Sequence, residues 1–216
     1  GSEGGGHTGL TPTTLLLSSV LESVKIPVVA AGGFRDGSGL AASLAWGADG
    51  IAMGTRFMMT QESPVPKNTK EAYLSAAVED IKITKKFDGL SHRLIFNNYI
   101  KKIDRSNPMS LFIMSISSAW KYKKLTKASY ADLIKSFIAM LKGDDLTISQ
   151  SIMSANSPAI IQKAMVEGSP DEGAMPSGQV AGLISNLPTC KELIDEIMRE
   201  FTSAVANLRS IDGDKL

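Results

Sequence analysis

Pro27-Val-Val-Ala-Ala-Gly-Gly-Phe34 and Gly47-Ala-Asp-Gly-Ile-Ala-Met-Gly-Thr55 decide the fold of this chain. In each, a short apolar run ends on glycine, which fits a strand buried in a parallel sheet. The strands are expected over 27–31 and 49–53. Between them, Gly37 to Trp46 reads as a helix opened by Asp36 as its cap. Gly39, Ala41, Ala42, Ser43 and Ala45 make that helix small-sided, so it can pack closely on a sheet. Strand, helix and strand in succession form a βαβ unit, which implies parallel pairing with a right-handed crossover.

Upstream, residues 1–10 form a glycine-rich loop containing Glu3-Gly-Gly-Gly-His7. A helix follows, with Thr11 as its cap and Pro12 at the first helical position. Leu15, Leu16, Val20, Leu21 and Val24 give it an apolar face. Downstream, 67–78 reads as helix and 81–87 alternates like an exposed strand. Helices are expected at 107–123, 128–142, 157–167 and 188–208, with a further short one beginning at Pro176. A (β/α)8 barrel needs eight strands and typically about 250 residues. Two parallel strands are legible here, and a third is expected before Gly1 to deliver the glycine loop.

At 216 residues with 43% hydrophobic and 21% charged side chains, the composition is that of a soluble globular protein. A net charge of +1 gives no general pull toward nucleic acid or anionic lipid. No apolar run approaches the roughly 20 residues of a membrane span. The nearest, Leu111 to Trp120, is short and serine-rich. No signal peptide is legible at the start, and a single cysteine, Cys190, fits a reducing compartment, so a cytoplasmic location is expected.

The two glycine-ended strand tips suggest a phosphate site. Glycine lets backbone approach an anion, consecutive N–H groups form a nest, and a following helix N-terminus adds a positive end. Thr55 can add a hydroxyl donor. The alternative is that these glycines only make tight turns. Gly37-Ser-Gly39-Leu-Ala-Ala42 spells a dinucleotide fingerprint, but it lies five residues past the strand and lacks the later acidic residue, so it reads as helix packing. His7, in a flexible glycine loop, has the chemistry of a general base or of a donor to a developing anion. His92 is expected at a surface or structural position, Cys190 in packing, and the ten methionines in the core. Asp144-Asp145 and Asp171-Glu172 lack further ligand-type neighbours, so no metal is expected.

Taken in order, Glu3-Gly-Gly-Gly-His-Thr-Gly9, the two strand-tip motifs, Met175-Pro-Ser-Gly-Gln-Val-Ala-Gly182 and Leu187-Pro-Thr-Cys-Lys-Glu-Leu-Ile194 resemble the nitronate monooxygenase (2-nitropropane dioxygenase) family, C-terminal portion. The resemblance is weakest at about 80–150. It implies an α/β fold: part of an FMN-binding TIM (β/α)8 barrel followed by a mostly helical covering domain. The implied division is 1–80 for the barrel part, 81–175 for a helical lid and 176–216 for helices returning to the barrel. It implies His7 as the catalytic residue beside the flavin. It implies FMN contacts from Gly5, Gly6, Gly32, Gly33, Ala52, Met53, Gly54 and Thr55, and from Ser177 and Gln179 in the later motif. The family's upstream asparagine and glutamine contacts to FMN have no counterpart in this sequence. The implied reaction is oxidation of a small-molecule nitronate by oxygen, giving a carbonyl compound and nitrite. A related flavin reductase, acting on enoyl thioesters or on NADH and quinone, is the alternative enzyme, and an inactive flavin-binding fragment is the alternative of another class.

Overall fold

The computed structural model describes residues 1–107, 110 and 148–211. The helix expected at 107–123 therefore lies, but for residues 107 and 110, outside the described residues, and so do the whole of the one expected at 128–142 and Asp144-Asp145.

Strands β2 (Val29–Ala31) and β3 (Gly50–Ala52) pair in parallel, with Ala30 opposite Ile51 and Ala31 opposite Ala52. Helix α2 (Gly37–Trp46) joins them. The Asp36 carboxylate accepts the Gly39 amide at 2.8 Å, and Gly47 ends the helix with φ +104°. Such a cap contributes about 1 kcal/mol. Gly37 allows close packing on the C-terminal helix, because a Cβ there would strike the backbone at Ile197 and Phe201. The fingerprint-like glycines are thus packing glycines.

One expectation is corrected here. Ala30 is buried with Leu17, Phe34 and Ala48, but Val29 is 58% exposed and Ala31 and Ala52 are also exposed. Helices cover one face of the pair, and no described element covers the other. The run of apolar residues marked strands whose second face needs a cover, not strands buried on both faces in this chain.

Helix α1 (Thr13–Ser23) starts one residue later than expected, with Pro12 outside it. Thr11 does not cap it. The Glu3 carboxylate does, accepting the Thr13 amide at 3.0 Å (Oε2) and 3.3 Å (Oε1). An anion at a helix N-terminus satisfies a free amide and meets the positive end of the dipole.

The second sheet is antiparallel, in the order β1 (Gly6–His7), β5 (His92–Ile95), β4 (Ile81–Thr84). The segment expected to be an exposed strand over 81–87 ends at Thr84, and both Ile81 and Phe87 are buried. Its alternation reflects a half-buried edge strand, and Phe87 belongs to the turn that follows. The helix expected over 67–78 is α4 (Lys67–Leu74), after which Val78–Asp80 forms a 3-10 turn. Next comes α5 (Asn98–Arg105), capped by Asn97.

The helix expected at 157–167 is longer: α6 spans Ile148–Met165 and contains Pro158. The missing proline amide frees the Ser154 carbonyl, which accepts the Ser157 hydroxyl at 2.9 Å instead. The short helix expected from Pro176 is a 3-10 turn over Gln179–Leu183. Helix α7 (Cys190–Arg209) opens on a capping box between Thr189 and Glu192, with Cys190 as its first residue.

Two cores sit on either side of β5. Met59, Tyr73, Ile81, Ile95 and Met175 lie in one, Phe87, Leu94, Phe96, Ile100 and Ile103 in the other. Met59 and Met175 fill core space as methionine was expected to. Among the described residues, no helix is long and apolar enough to cross a membrane.

Candidate active site

Four sequence-distant segments meet around residues 1–7. The Gly32-Gly33 turn, with φ of +99° and +86°, packs on the loop so closely that Cβ atoms there would lie 3.1 Å from Gly1 N and from Glu3 Cβ respectively. The Thr13 hydroxyl lies 2.6 Å from Glu3 Oε2 and 2.9 Å from the Gly32 carbonyl, and its single hydrogen serves one of them at a time. Burial pushes the Glu3 carboxyl up, but the hydrogen bonds from Thr13 outweigh it and hold the group below its ordinary value.

The third segment is 175–179, aligned along β5. Ile95 donates to the Met175 carbonyl at 3.1 Å and Ser177 to the Arg93 carbonyl at 3.2 Å. The buried Tyr73 hydroxyl donates to the Pro176 carbonyl at 2.6 Å. Gly178 then comes against Gly5, where a Cβ on Gly5 would fall 2.5 Å from the Gly178 nitrogen. Gln179 donates its amide to the Glu3 carbonyl at 3.0 Å. The fourth segment is the end of β3, through Ala52 and Met53 into the short helix α3 (Gly54–Met58). Thr55 Oγ1 accepts the Gly178 amide at 3.0 Å, which leaves its own hydrogen free to donate.

His7 leaves this junction on β1, directly opposite His92 on β5. Its Nε2 is 2.7 Å from Asp88 Oδ2, and His92 Nδ1 is 2.8 Å from the same oxygen. Asp88 is 1% exposed, and its other oxygen accepts the Leu90 amide at 3.2 Å. The imidazole rings meet edge to face with centroids 4.6 Å apart, and Phe87 packs edge-on against His92 at 5.1 Å. Burial pushes the Asp88 carboxyl up, yet the hydrogen bonds from His92, His7 and the Leu90 amide together hold it below its ordinary value. The carboxylate is therefore an anion, and an anion only accepts. Each facing nitrogen carries a hydrogen, so neutral His7 is the Nε2–H tautomer with its Nδ1 lone pair free, on a side chain 56% exposed. The three side chains also lie close enough together to suggest a metal site. Their nitrogen–oxygen separations are those of hydrogen bonds with a proton between the atoms.

The residues singled out from sequence divide in two. Gly5, Thr55, Ser177 and Gln179 converge through Glu3 and Gly178, with His7 adjoining on β1. Gly6, at φ +73°, turns the loop into β1. Gly5, Gly32 and Gly33 are required by neighbouring loops, whereas a Cβ on Gly54 would meet nothing within 4 Å. The N-terminus of α2 is already occupied: Glu200 takes the Gly37 amide at 2.8 Å and Asp36 takes that of Gly39. Among the described residues, the amides of Gly54 and Thr55 are open to an anion, because the first amides of a helix lack internal partners. The Ser177 hydroxyl is buried and donates to the Gly178 carbonyl, so that side chain holds the loop.

Asp88 escaped the sequence reading, and His92 was expected at a surface or structural position. It is buried beside His7 instead, because antiparallel pairing sets them opposite each other, and only that pairing could have revealed it.

A family model described as nitronate monooxygenase matches residues 1–200. The (3aS,4S,5R,7aS)-5-hydroxy-7a-methyl-1-oxo-octahydro-1H-indene-4-carboxyl-CoA dehydrogenase of Rhodococcus jostii is 48% identical over 93% of this chain and 57% of its own length. A probable nitronate monooxygenase of Staphylococcus aureus is 36% identical over 49% of this chain and 32% of its own length. Among solved structures, FabK from Thermotoga maritima matches with a TM-score of 0.71 and 31% identity, over 98% of this chain and 56% of that one. The chain spans little more than half the length of the dehydrogenase and of FabK. The fold is the one expected from sequence, an α/β fold forming part of a TIM barrel followed by a mostly helical region.

Proposed function

The chain belongs to the nitronate monooxygenase family, and on that premise we propose that it forms the C-terminal part of a flavin-dependent oxidoreductase that dehydrogenates a hydroxylated carboxyl-CoA thioester. Identity to the dehydrogenase extends along 93% of the chain, whereas identity to the nitronate enzyme covers half of it. Nitronate oxidation by oxygen is the second reading, favoured by the family model.

The observation that carries the reading is His7, half-exposed, with Nε2 held by a buried carboxylate and Nδ1 free, beside loops that meet at Gly178. Dehydrogenation removes a hydride from one atom of the substrate and a proton from its neighbour. His7 Nδ1 receives the proton as general base, and the resulting imidazolium faces the Asp88 anion. FMN, when bound, accepts the hydride. The residues present fit its phosphate at Gly54, where the backbone is bare, with the Thr55 hydroxyl as a further donor. Ala52 and Met53 lead into that site, while Gly5, Gly6, Gly32, Gly33, Ser177 and Gln179 shape the loops around it.

The test is a pair of assays on the full-length, flavin-loaded protein. One follows dehydrogenation of a hydroxylated carboxyl-CoA thioester with an artificial electron acceptor, the other oxygen uptake with propionate 3-nitronate. Thioester turnover that disappears in His7→Ala is expected. Nitronate turnover without thioester turnover would overturn the reading in favour of the second.

A further inference from the structure

We propose that Asp88 and His92 are positioning residues for His7, a single carboxylate oxygen held between two imidazole N–H groups so that the His7 proton stays on Nε2 and the Nδ1 lone pair faces outward. The proposal rests on the reading of His7 as the base, and it adds a role for two residues that no sequence motif marks.

The chain contains two histidines, and the fold brings both to one oxygen atom. That convergence is built by several independent contacts. The β1–β5 register sets His7 opposite His92, Phe87 packs on the outer edge of His92, and the Leu90 amide fixes the second oxygen of Asp88. Because the carboxylate can only accept, neutral His92 must be the Nδ1–H tautomer. Its Nε2 is then a lone pair, and that atom is buried with no hydrogen-bond partner. A histidine placed only to fill space would be expected to satisfy both nitrogens, since leaving a buried acceptor unmet is unfavourable. Here one nitrogen is left unmet while the other is committed to Asp88.

The chemical consequence concerns where a proton rests. A lone buried carboxylate beside His7 would itself be basic enough to compete for the substrate proton. Three donors, from His7, His92 and Leu90, draw charge from Asp88 and keep it ionised. A proton arriving at His7 Nδ1 therefore makes an imidazolium–carboxylate pair, and the proton remains on the imidazole. His92 acts through Asp88 and touches no reacting atom.

The tautomers can be read directly by 15N NMR of imidazole-labelled, full-length, flavin-loaded protein, with signals assigned by loss in His7→Gln and His92→Phe. At neutral pH His7 is expected as Nε2–H and His92 as Nδ1–H. His92→Phe keeps the packing against Phe87 but removes the donor. It should lower kcat about tenfold or more with KM changed less than twofold, using the substrate the preceding assays identify. His92→Asn, whose amide can replace the Nδ1–H donor, should recover most of the rate. Finding His92 as Nε2–H in the unsubstituted protein would overturn the proposal without any variant having to fold, and so would stoichiometric zinc bound by the three side chains. Failure of the thioester as substrate leaves the tautomer measurement intact. Expected tautomers with full activity in His7→Ala would instead refute His7 as the base.

Discussion

The glycine junction and the histidine cluster share the loop at residues 5–7, yet they are built by opposite means. The junction rests on close backbone approach, Gly5 against Gly178, Gly32 against Gly1 and Gly33 against the Glu3 side chain, with the Thr13 and Thr55 hydroxyls closing it. The cluster is three side chains on an antiparallel sheet, each correct only because β1 and β5 pair in one register. Backbone sites tolerate almost nothing at their closely packed glycines. Side-chain sites tolerate shape changes and fail when one donor or acceptor is exchanged.

The sharpest way to break this contrast is Asp88→Asn. The amide presents both a donor and an acceptor, so it no longer dictates either tautomer. Turnover by the flavin-loaded protein should fall on the order of 10⁴-fold, as when the carboxylate orienting a catalytic imidazole is replaced by its amide. Flavin content, read from the absorption spectrum, should be unchanged. Loss of flavin in this variant would show that the two regions are one mechanical unit, and the contrast would go.

Gly5→Val is the reciprocal experiment. Its Cβ would lie 2.5 Å from one backbone nitrogen and 2.6 Å from the Ser177 carbonyl carbon, and neither atom can rotate away. We expect a loss of about 3 kcal/mol in unfolding free energy by urea titration, at the upper end of overpacking costs. A variant as stable as the parent would mean the 177–178 segment moves freely from the loop.

A smaller and graded effect comes from acid. Asp88 and Glu3 both have folded-state carboxyls held below their ordinary values, by hydrogen bonds that outweigh burial. Such groups stabilise the fold above the unfolded carboxylate range near about pH 4, and that contribution is lost as pH falls through their folded values. The thermal midpoint should therefore drop more steeply between pH 5 and pH 2 (rough bounds of the carboxylate range) in the parent than in Asp88→Asn. Parallel curves would mean that the shared hydrogen bonds do not favour the ionised form.

The same contrast explains what could be read from sequence. Glycine runs after apolar strands announce a backbone site because few other residues permit positive φ, as at Gly32 and Gly33. Gly5, Gly33, Thr55 and Gln179 were all legible on that ground or by resemblance, and they do meet. Asp88 and His92 were not legible, since Asp88-Gly-Leu-Ser-His92 reads as an ordinary turn entering a strand. Their meaning arises from pairing with β1, a contact between distant parts of the chain that local periodicity does not encode. Glu3 falls between: it was quoted within its motif, but its work as the cap of α1 appears only once the loop folds back on Thr13. The open face of β2 and β3 was misread because a run of apolar residues records what a strand packs against without naming where the cover comes from.

The smallest stability effect, and the one that isolates the phosphate assignment, belongs to Gly54. Gly5 and Gly54 were equivalent on sequence grounds, but a Cβ at Gly54 meets nothing within 4 Å. It also stands at the first position of α3, where φ is not in the left-handed region and alanine is at least as favourable as glycine. Gly54→Ala should therefore change unfolding free energy by less than about 0.5 kcal/mol, the size of an unconstrained surface substitution. If the bare backbone there receives the flavin phosphate, the space is kept open for a ligand and not for the fold. Gly54→Val, with a larger and branched side chain, should then leave the melt of the flavin-free protein within a degree or two of the parent, on the order expected for so small a change. It should also abolish the rise in midpoint that added FMN produces, since a ligand stabilises only in proportion to its occupancy of the native state. A variant that still gains the full FMN-dependent shift would move the phosphate away from Gly54 and Thr55.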